Sequence, residues 1–175
     1  MELFEAIKER YSVRAYQDKP VRDADLRRIL QAANDAPSAG NLQPYEIVIV
    51  RDAAARQALA ESSAKQMFMT QAPIHIVFFA NPDRNREKFG QLGVEFFTVQ
   101  DATVAVAYAQ LAATALGLGT CWIGALDDAV IHRVTDAPAH WRPMAILTLG
   151  YPAEPPKPRE RRALSDLVRE AKAGH

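Results

Sequence analysis

Two short segments of this sequence carry side chains of the kind that bind small polar ligands, and the first is the loop over residues 37–45. Ser38, Asn41 and Gln43 supply a hydroxyl and two amides there, and each of these groups both donates and accepts hydrogen bonds. Prolines near both ends prevent regular structure, and a central glycine permits unusual backbone angles. From these residues alone, a connecting loop and a ligand site are equally good interpretations.

The second segment is residues 10–14, at the expected end of the first helix. In an extended chain Arg10, Ser12 and Arg14 share one face. Arginine keeps its charge at physiological pH and offers a planar fork of N–H donors, so this face suits a phosphate or the polar edge of a ring. A solvated helix end is the alternative interpretation. The same two interpretations hold for a basic cluster near the C-terminus, made of Lys157, Arg159, Arg161 and Arg162.

Composition limits the classes of function. The 175 residues are 49% hydrophobic and 24% charged, which suits one globular domain over residues 1–175. Lys and Arg total 21 and Asp and Glu total 21, so no overall field favours nucleic acid or an anionic membrane. The single cysteine, Cys121, excludes an internal disulfide and suits a reducing compartment. Because the acidic start of the sequence does not match a signal peptide, the expected location is the cytoplasm.

Several familiar site patterns are missing from the sequence. The 4 histidines are scattered without ligand spacing and the lone cysteine cannot build a metal site, so no metal is expected. Residues 117–119 lack the third glycine of a dinucleotide fingerprint and follow a helix rather than a strand. Neither Ser12 nor Ser38 lies in the glycine-flanked motif of a nucleophilic serine, so hydrolysis through a covalent intermediate is not expected. The alanine-rich stretch 102–119 has no basic flank, which predicts a helix buried in protein rather than in a membrane.

The positions of these side chains depend on helices and strands that alternate along the chain. Periodicity predicts a first helix that begins at Leu3 and ends near Tyr11 and Ser12, and a second over residues 26–33 with Asp23 as its N-cap. Other helices are predicted to begin near Asp52, Val94 and Asp127. Strands are predicted at residues 45–50, 74–80, 120–123 and 144–149. Gly117 and Gly119 are expected to close the long helix that begins near Val94.

Two further segments, one charged and one rich in proline, lack the periodicity of these helices and strands. Residues 84–93 are charged and poorly periodic, which predicts a surface excursion or lid. Prolines between residues 152 and 158 predict an extended arm. Leu164, Leu167 and Val168 follow on that arm, and we expect them to dock on a surface.

Four motifs, in order along nearly the whole chain, resemble those of the nitroreductase-like FMN flavoproteins. Each motif is weak alone, but together their order and spacing are specific. They are RYSVRAY at 10–16, APSAGNLQPY at 36–45, Asp101 with LGLGTCWIG at 116–124, and GYP at 150–152 with KPR at 157–159. The resemblance implies an α+β, nitroreductase-like sandwich, with a mostly antiparallel sheet, a long buried helix and an extended C-terminal arm over residues 152–175. It also implies a homodimer with two FMN sites at the subunit interface.

The resemblance also implies which residues bind the cofactor. By family pattern Arg10 and Ser12 contact the phosphate and ribityl end, Arg14 reaches the pyrimidine edge, and Lys157 and Arg159 complete the phosphate site. Ile123 and Gly124 match positions whose backbone approaches flavin N5 and O4. The other implied contacts are Tyr11 and, in the loop offered to the flavin of the other subunit, Pro37, Ser38, Ala39, Asn41 and Gln43. No catalytic acid or base is implied.

The function implied by the resemblance is an FMN-dependent oxidoreductase that takes a hydride from NADH or NADPH. A small electron-poor acceptor such as a nitroaromatic or quinone then replaces the nicotinamide, in a ping-pong mechanism. Two alternatives are a family member specialised for one metabolite and a flavin-binding protein without turnover. The sequence does not determine whether NADH or NADPH is the donor, which molecule is the physiological acceptor, or whether the acceptor is reduced by one electron or two. It also does not determine which of Arg159, Arg161 and Arg162 binds the phosphate.

Overall fold

The computed structural model describes residues 1–156 and 159–171. Within them, one sheet lies at the centre, and its strands are β1 (Tyr45–Val50), β2 (Ile74–Ala80), β3 (Gly119–Ile123) and β4 (Arg142–Gly150). All neighbouring strands are antiparallel and their order is β1-β2-β4-β3, so β1 and β3 form the two edges. The predicted bounds of β1 and β2 are confirmed residue for residue, and β3 and β4 begin slightly earlier than predicted.

Helices cover both faces of this sheet. The α-helices are α1 (Leu3–Glu9), α2 (Asp23–Asn34), α3 (Ala53–Ser62), α4 (Asp83–Leu92), α5 (Thr98–Ala115) and α6 (Asp128–Thr135). Helices α2 and α5 share a hydrophobic core with one face of the sheet, and α3 and α6 share a second core with the other face. Strand β2 is therefore buried on both sides, with Ile76 and Phe78 in the first core and Val77 and Phe79 in the second.

Local sequence signals explain where several elements begin and end. The Asp52 carboxylate accepts a hydrogen bond from Ala55 N at 2.8 Å, which caps α3 as predicted. Asp127 caps α6 in the same way, accepting from Val130 N at 3.1 Å. Gly117 adopts φ +75°, a left-handed conformation that ends the long helix α5. In the described part of the chain, no helix is long and apolar enough to cross a lipid bilayer.

The histidine of β2 lies in the core, as expected for a residue of a buried strand. His75 is fully buried there, as the strand prediction implied, and its Nε2 lies 2.9 Å from the Met69 carbonyl oxygen. Burial lowers the pKa of His75 to about 4. The ring is therefore neutral at physiological pH, which suits a position inside the core.

Three predictions about individual elements are wrong, and a fourth is not tested by a single chain. Asp23 is the first residue of α2 rather than its N-cap, because the cap position is Arg22. Residues 84–93 are helical rather than irregular, forming most of α4. Gly119 belongs to β3 rather than to a cap of α5. The docking of the arm residues stays a prediction, and in the single chain they are exposed, at 75% for Leu164, 56% for Leu167 and 64% for Val168.

An extended segment next to β3 holds the first of the two polar segments in place. Ser12 forms a parallel bridge with Thr120, and Val13 N donates to the Thr120 carbonyl at 2.9 Å. The Tyr16 hydroxyl donates to the Val13 carbonyl at 3.0 Å and lies 2.6 Å from Thr148 Oγ1 on β4. Val13 is buried, so the alternating side chains of residues 12 and 14 point away from the core. The sheet edge thus fixes the register of residues 10–14.

We predict that Gly119→Ala destabilises the fold. A Cβ at Gly119 would lie 2.6 Å from Val13 Cγ2 and 3.1 Å from Val13 Cβ, so the segment over residues 12–16 would have to move away from β3. The expected loss is about 1–3 kcal/mol of unfolding free energy, measured by urea titration. Gly124→Ala is the matched control, because a Cβ at Gly124 meets nothing within 4 Å. Equal stability of the two variants would contradict this packing argument.

Candidate functional site

Two adjoining cavities lie where the segment over residues 10–14 meets the C-terminal arm. The smaller has a volume of about 130 Å³ and is lined by Tyr11, Ser12, Arg14, Glu154 and Arg159. The larger has a volume of about 750 Å³, and its charged lining residues are Lys8, Glu9, Arg10, Arg159 and Arg161. Tyr11 and Arg159 line both cavities. The structure therefore brings together basic residues from the two ends of the chain.

The electrostatics of these cavities are set by closely placed guanidinium groups. Partial burial lowers the pKa of Arg10, and the positive charges of Arg161 and Arg159 lower it further. Such repulsion between like charges favours the binding of an anion among them. Cys121 lies below this cluster, and burial raises the pKa of its thiol although Arg14 and Ser12 act in the opposite direction. The thiol is therefore protonated and unreactive at neutral pH.

Neighbouring groups hold the lining residues in position. The Tyr11 hydroxyl donates to the Glu154 carbonyl at 2.5 Å, and Ala153 N donates to the Ala15 carbonyl at 2.9 Å, which ties the arm to the edge segment. The Arg14 guanidinium carbon lies 5.9 Å from the centre of the Phe68 ring, within cation–π range. The smaller cavity has room for a phosphate-sized group, and its lining combines the Ser12 hydroxyl and two guanidinium groups with the side chain of Glu154.

The predicted ring contacts lie at the other end of β3. Ile123 is the last residue of the strand, and Gly124 follows it at an exposed position with open space where a Cβ would stand. The strand rises by about 3.4 Å per residue, so Ile123 lies about 10 Å along it from Thr120. One ligand with a phosphate at Ser12 and a flat ring at Gly124 would therefore run along this edge.

The loop over residues 37–45 has an unusual backbone that its own hydrogen bonds maintain. Gly40, Asn41 and Gln43 all have positive φ, at 57°, 57° and 49°. The Ser38 hydroxyl accepts from Gln43 N at 3.0 Å, and the Gln43 amide donates to the Asn41 carbonyl at 2.9 Å. A short 3₁₀ turn, Ala39–Asn41, lies where no regular structure was predicted. A left-handed conformation costs a non-glycine residue about 1–2 kcal/mol, so the loop keeps this shape only because its contacts hold it.

Two residues that support this loop had no predicted function. The Asp101 carboxylate is 7% exposed, and its Oδ1 accepts from Ala39 N at 3.0 Å. Arg84, on α4, donates from Nε to the Leu42 carbonyl at 2.9 Å. Asp101 lies in the first turn of α5, which directly follows a π-helical turn over Gly93–Phe97. The signal in the sequence was an isolated carboxylate at the start of an apolar, alanine-rich helix.

The structure does not bring the loop to the basic cavities within one chain. Among the described residues, none of positions 37–45 lines either cavity. The loop leads into β1, whereas Ser12 lies outside β3 at the opposite edge of the sheet. With four strand spacings of about 4.8 Å between them, the two segments are separated by about 19 Å. Lys157 lies outside the described residues. Of the other basic arm residues, Arg159 lines both cavities, Arg161 only the larger, and Arg162 neither.

Comparison with known proteins identifies relatives over most of the chain. A family model described as "Nitroreductase family" matches residues 7–151. A Thermus thermophilus protein named NADH dehydrogenase is 31% identical over 186 residues, covering 91% of each sequence. A Bacillus subtilis protein named FMN reductase (NAD(P)H) is 30% identical over 168 residues, covering 87% of this chain and 67% of that protein. The solved structure of B. megaterium NfrA2 superposes with a TM-score of 0.90 at 26% identity, covering 100% of this chain and 76% of that one. These similarities confirm the predicted fold.

We predict that Asp101→Ala loosens the loop over residues 37–45. Removing the carboxylate leaves the Ala39 N–H without its acceptor, so amide hydrogen exchange at Ala39 should accelerate. The unfolding free energy should fall by about 1–3 kcal/mol. Asp101→Asn is the matched control because its side-chain oxygen can still accept this bond. If both variants exchange at the wild-type rate, Asp101 does not anchor the loop.

Proposed function

Because the chain belongs to the nitroreductase family, we propose that it reduces electron-poor organic molecules, such as nitroaromatics and quinones, by a ping-pong mechanism. It is an oxidoreductase that uses FMN and NAD(P)H, as the names of its relatives indicate. The observation that carries the proposal is the cluster of Arg10, Arg14 and Arg159 beside Ser12 at one end of β3, with exposed Gly124 at the other end. When bound, FMN accepts a hydride from the nicotinamide and passes the electrons to the acceptor.

The residues where the two cavities adjoin would bind the FMN phosphate. A phosphate monoester carries about −1.5 to −2 charges at neutral pH, and the chain as a whole has no net charge to attract it. Arg10, Ser12 and Arg159 supply the local positive charge and donors that the ligand needs. The predicted contribution of Lys157 stays a prediction. Cys121 takes no part in this binding because its thiol is buried beneath the cluster.

Arg14, which also lines the smaller cavity, and Gly124 beyond the end of β3 would bind the ring system. Arg14 is exposed and permanently charged, so it can neutralise negative charge that develops at the pyrimidine edge on reduction. Gly124 lacks a side chain and lets the backbone approach the ring closely. The open space in front of Gly124 would admit the nicotinamide and the acceptor in turn, which is what a ping-pong mechanism requires.

The active form would be a homodimer. The loop over residues 37–45 and the basic cavities lie about 19 Å apart across the sheet, which supports a site in which the two segments that contact one flavin come from different subunits. Exposed apolar side chains also support association. They are Leu3, Phe4 and Ile7 on α1, Tyr108 on α5, and Leu164, Leu167 and Val168 on the arm. The cytoplasm is the proposed location, in keeping with the free thiol of Cys121.

Reduction and reoxidation of the bound flavin test the proposed activity. The purified protein should be yellow, and anaerobic addition of NADH or NADPH should bleach the visible flavin absorbance within the dead time of mixing or shortly after. A nitroaromatic or a quinone should then restore the colour without further donor. A yellow protein that neither donor bleaches would show that the chain binds flavin without turnover, and the proposal would fail.

Mixing two inactive variants tests the shared site. Arg10→Ala with Arg159→Ala should weaken FMN binding by at least about a hundredfold, because two charge-assisted contacts are lost. Asn41→Gly with Gln43→Gly removes the loop side chains at positions whose positive φ glycine tolerates. If the loop serves the partner's flavin, co-refolded mixtures contain heterodimers with one intact site, and about a quarter of wild-type activity should return. No recovery would mean that each loop serves its own subunit.

A further inference from the structure

Two side chains of helix α4 lie directly on the loop over residues 37–45. A Cβ built at Gly40 would lie 2.5 Å from Lys88 Nζ and 3.2 Å from Phe89 Cζ. Because glycine has no side chain, the ammonium group and the ring rest on the Gly40 backbone itself. Any ligand that contacts this loop from the outside therefore lies near a positive charge and an aromatic ring.

The charge of Lys88 is not used within the described chain. Lys88 is exposed and forms no ion pair with any residue that the structure describes. Arg84 lies four positions earlier on the same face of α4, but its Nε donates to the Leu42 carbonyl at 2.9 Å and so holds the loop. The Asp83 carboxylate lies 3.1 Å from His140 Nε2, which pairs it away from the lysine. Lys88 is thus available to an anionic ligand.

An aromatic cluster lies next to this lysine. The Lys88 ammonium is 5.4 Å from the centre of the Phe89 ring. Phe89 packs edge-on against Phe97 with 5.2 Å between ring centres, and Phe96 lies 6.0 Å from Phe97. Phe89 is half-buried and Phe96 is 52% exposed, so the cluster presents an apolar surface on which a flat ring can pack.

We propose that Lys88 selects aromatic acceptors that carry an anionic substituent, such as a carboxylate or a sulfonate, over neutral acceptors of the same shape. This inference rests on the proposed function, in which the loop over residues 37–45 contacts the flavin of the partner subunit. Lys88 and Phe89 lie on that loop and would reach the open face of the same flavin. The acceptor ring would pack on the aromatic cluster, and its anionic group would accept a charge-assisted hydrogen bond from the Lys88 ammonium.

This cation is separate from the basic cluster that would bind the FMN phosphate. In the part of the chain that the structure describes, neither Lys88 nor the phenylalanine cluster lines either basic cavity. The loop beneath Lys88 also lies at the opposite edge of the sheet. Removal of the Lys88 charge should therefore leave FMN binding unchanged, so recognition of the acceptor can be measured apart from cofactor binding.

Benzoate and benzamide, titrated into the oxidised, flavin-loaded protein, test the site without turnover. The two molecules have the same shape and differ in charge, and a change in the visible flavin absorbance reports binding beside the ring. The wild-type protein should bind benzoate about tenfold more tightly than benzamide, because a contact to a charged group is worth about that factor. Lys88→Gln should abolish the preference and Lys88→Arg should keep it. Arg86→Gln is the matched control, because it removes a positive charge from the opposite side of α4.

Reoxidation kinetics extend the test to acceptors. The flavin is reduced anaerobically with dithionite, and stopped-flow absorbance then gives the second-order rate constants for 4-nitrobenzoate and for its methyl ester. Lys88→Gln should lower the rate constant for 4-nitrobenzoate about tenfold and leave that for the ester within about twofold of wild type. Comparing variant with wild type for each acceptor removes the difference in their intrinsic reactivity.

Four results would contradict the assignment. Equal wild-type affinities for benzoate and benzamide would show that the site does not read charge. A benzoate preference that survives in Lys88→Gln would assign it to another cation, such as Arg14. Equal losses for the charged and the neutral acceptor would give Lys88 a packing role, and loss of FMN from Lys88→Gln would make it part of the cofactor site.

The proposed function can fail separately from this inference. If neither NADH nor NADPH bleaches the flavin, the proposed activity is wrong. The benzoate titration and the reduction by dithionite need neither donor, so they still decide whether Lys88 selects anionic aromatic ligands.

Discussion

The pairing of residues 12–16 with the edge of the sheet is the contact on which the rest of the candidate site depends. Ser12 bridges Thr120, and Val13 packs so closely on Gly119 that no side chain fits between them. This fixes Arg10 and Arg14 on either side of a buried residue. The arm joins the same edge through the bridge of Tyr16 with Pro152, which leads Arg159 and Arg161 back to the basic cluster.

The edge pairing brings positively charged side chains together in a protein whose net charge is zero. With 21 basic and 21 acidic residues, the molecule exerts no long-range field of one sign, so an anionic ligand must be recognised locally. Bringing Arg10, Arg159 and Arg161 together costs free energy through mutual repulsion. A bound anion would offset that repulsion, which supports the proposal that the two cavities are ligand sites.

The width of the sheet is the second constraint on the candidate site, because it separates the loop from the basic cavities. The loop over residues 37–45 is rigid, with left-handed Asn41 and Gln43 held by hydrogen bonds from within the loop and from Asp101 and Arg84. Strained polar loops of this kind are common at functional sites, yet this one lies at the edge opposite the basic cavities. Both observations support the proposed homodimer, in which each subunit would offer its loop to the other.

The sequence by itself determined the helices and strands whose signals are local. Hydrophobic runs defined β1 and β2 correctly, and Asp52 and Asp127 marked helix starts because a cap acts within three residues. The four motifs identified the family and the segments of the site. The helix over residues 84–92 was not predicted because its sequence is charged and poorly periodic, and no local pattern indicates which surface Leu164 would contact. Only the tertiary structure decided that Arg10 meets Arg159 and Arg161, that Asp101 supports Ala39, and that the loop lies across the sheet. These are contacts between residues up to about 150 positions apart, and strand order, which no local pattern encodes, decides which of them form.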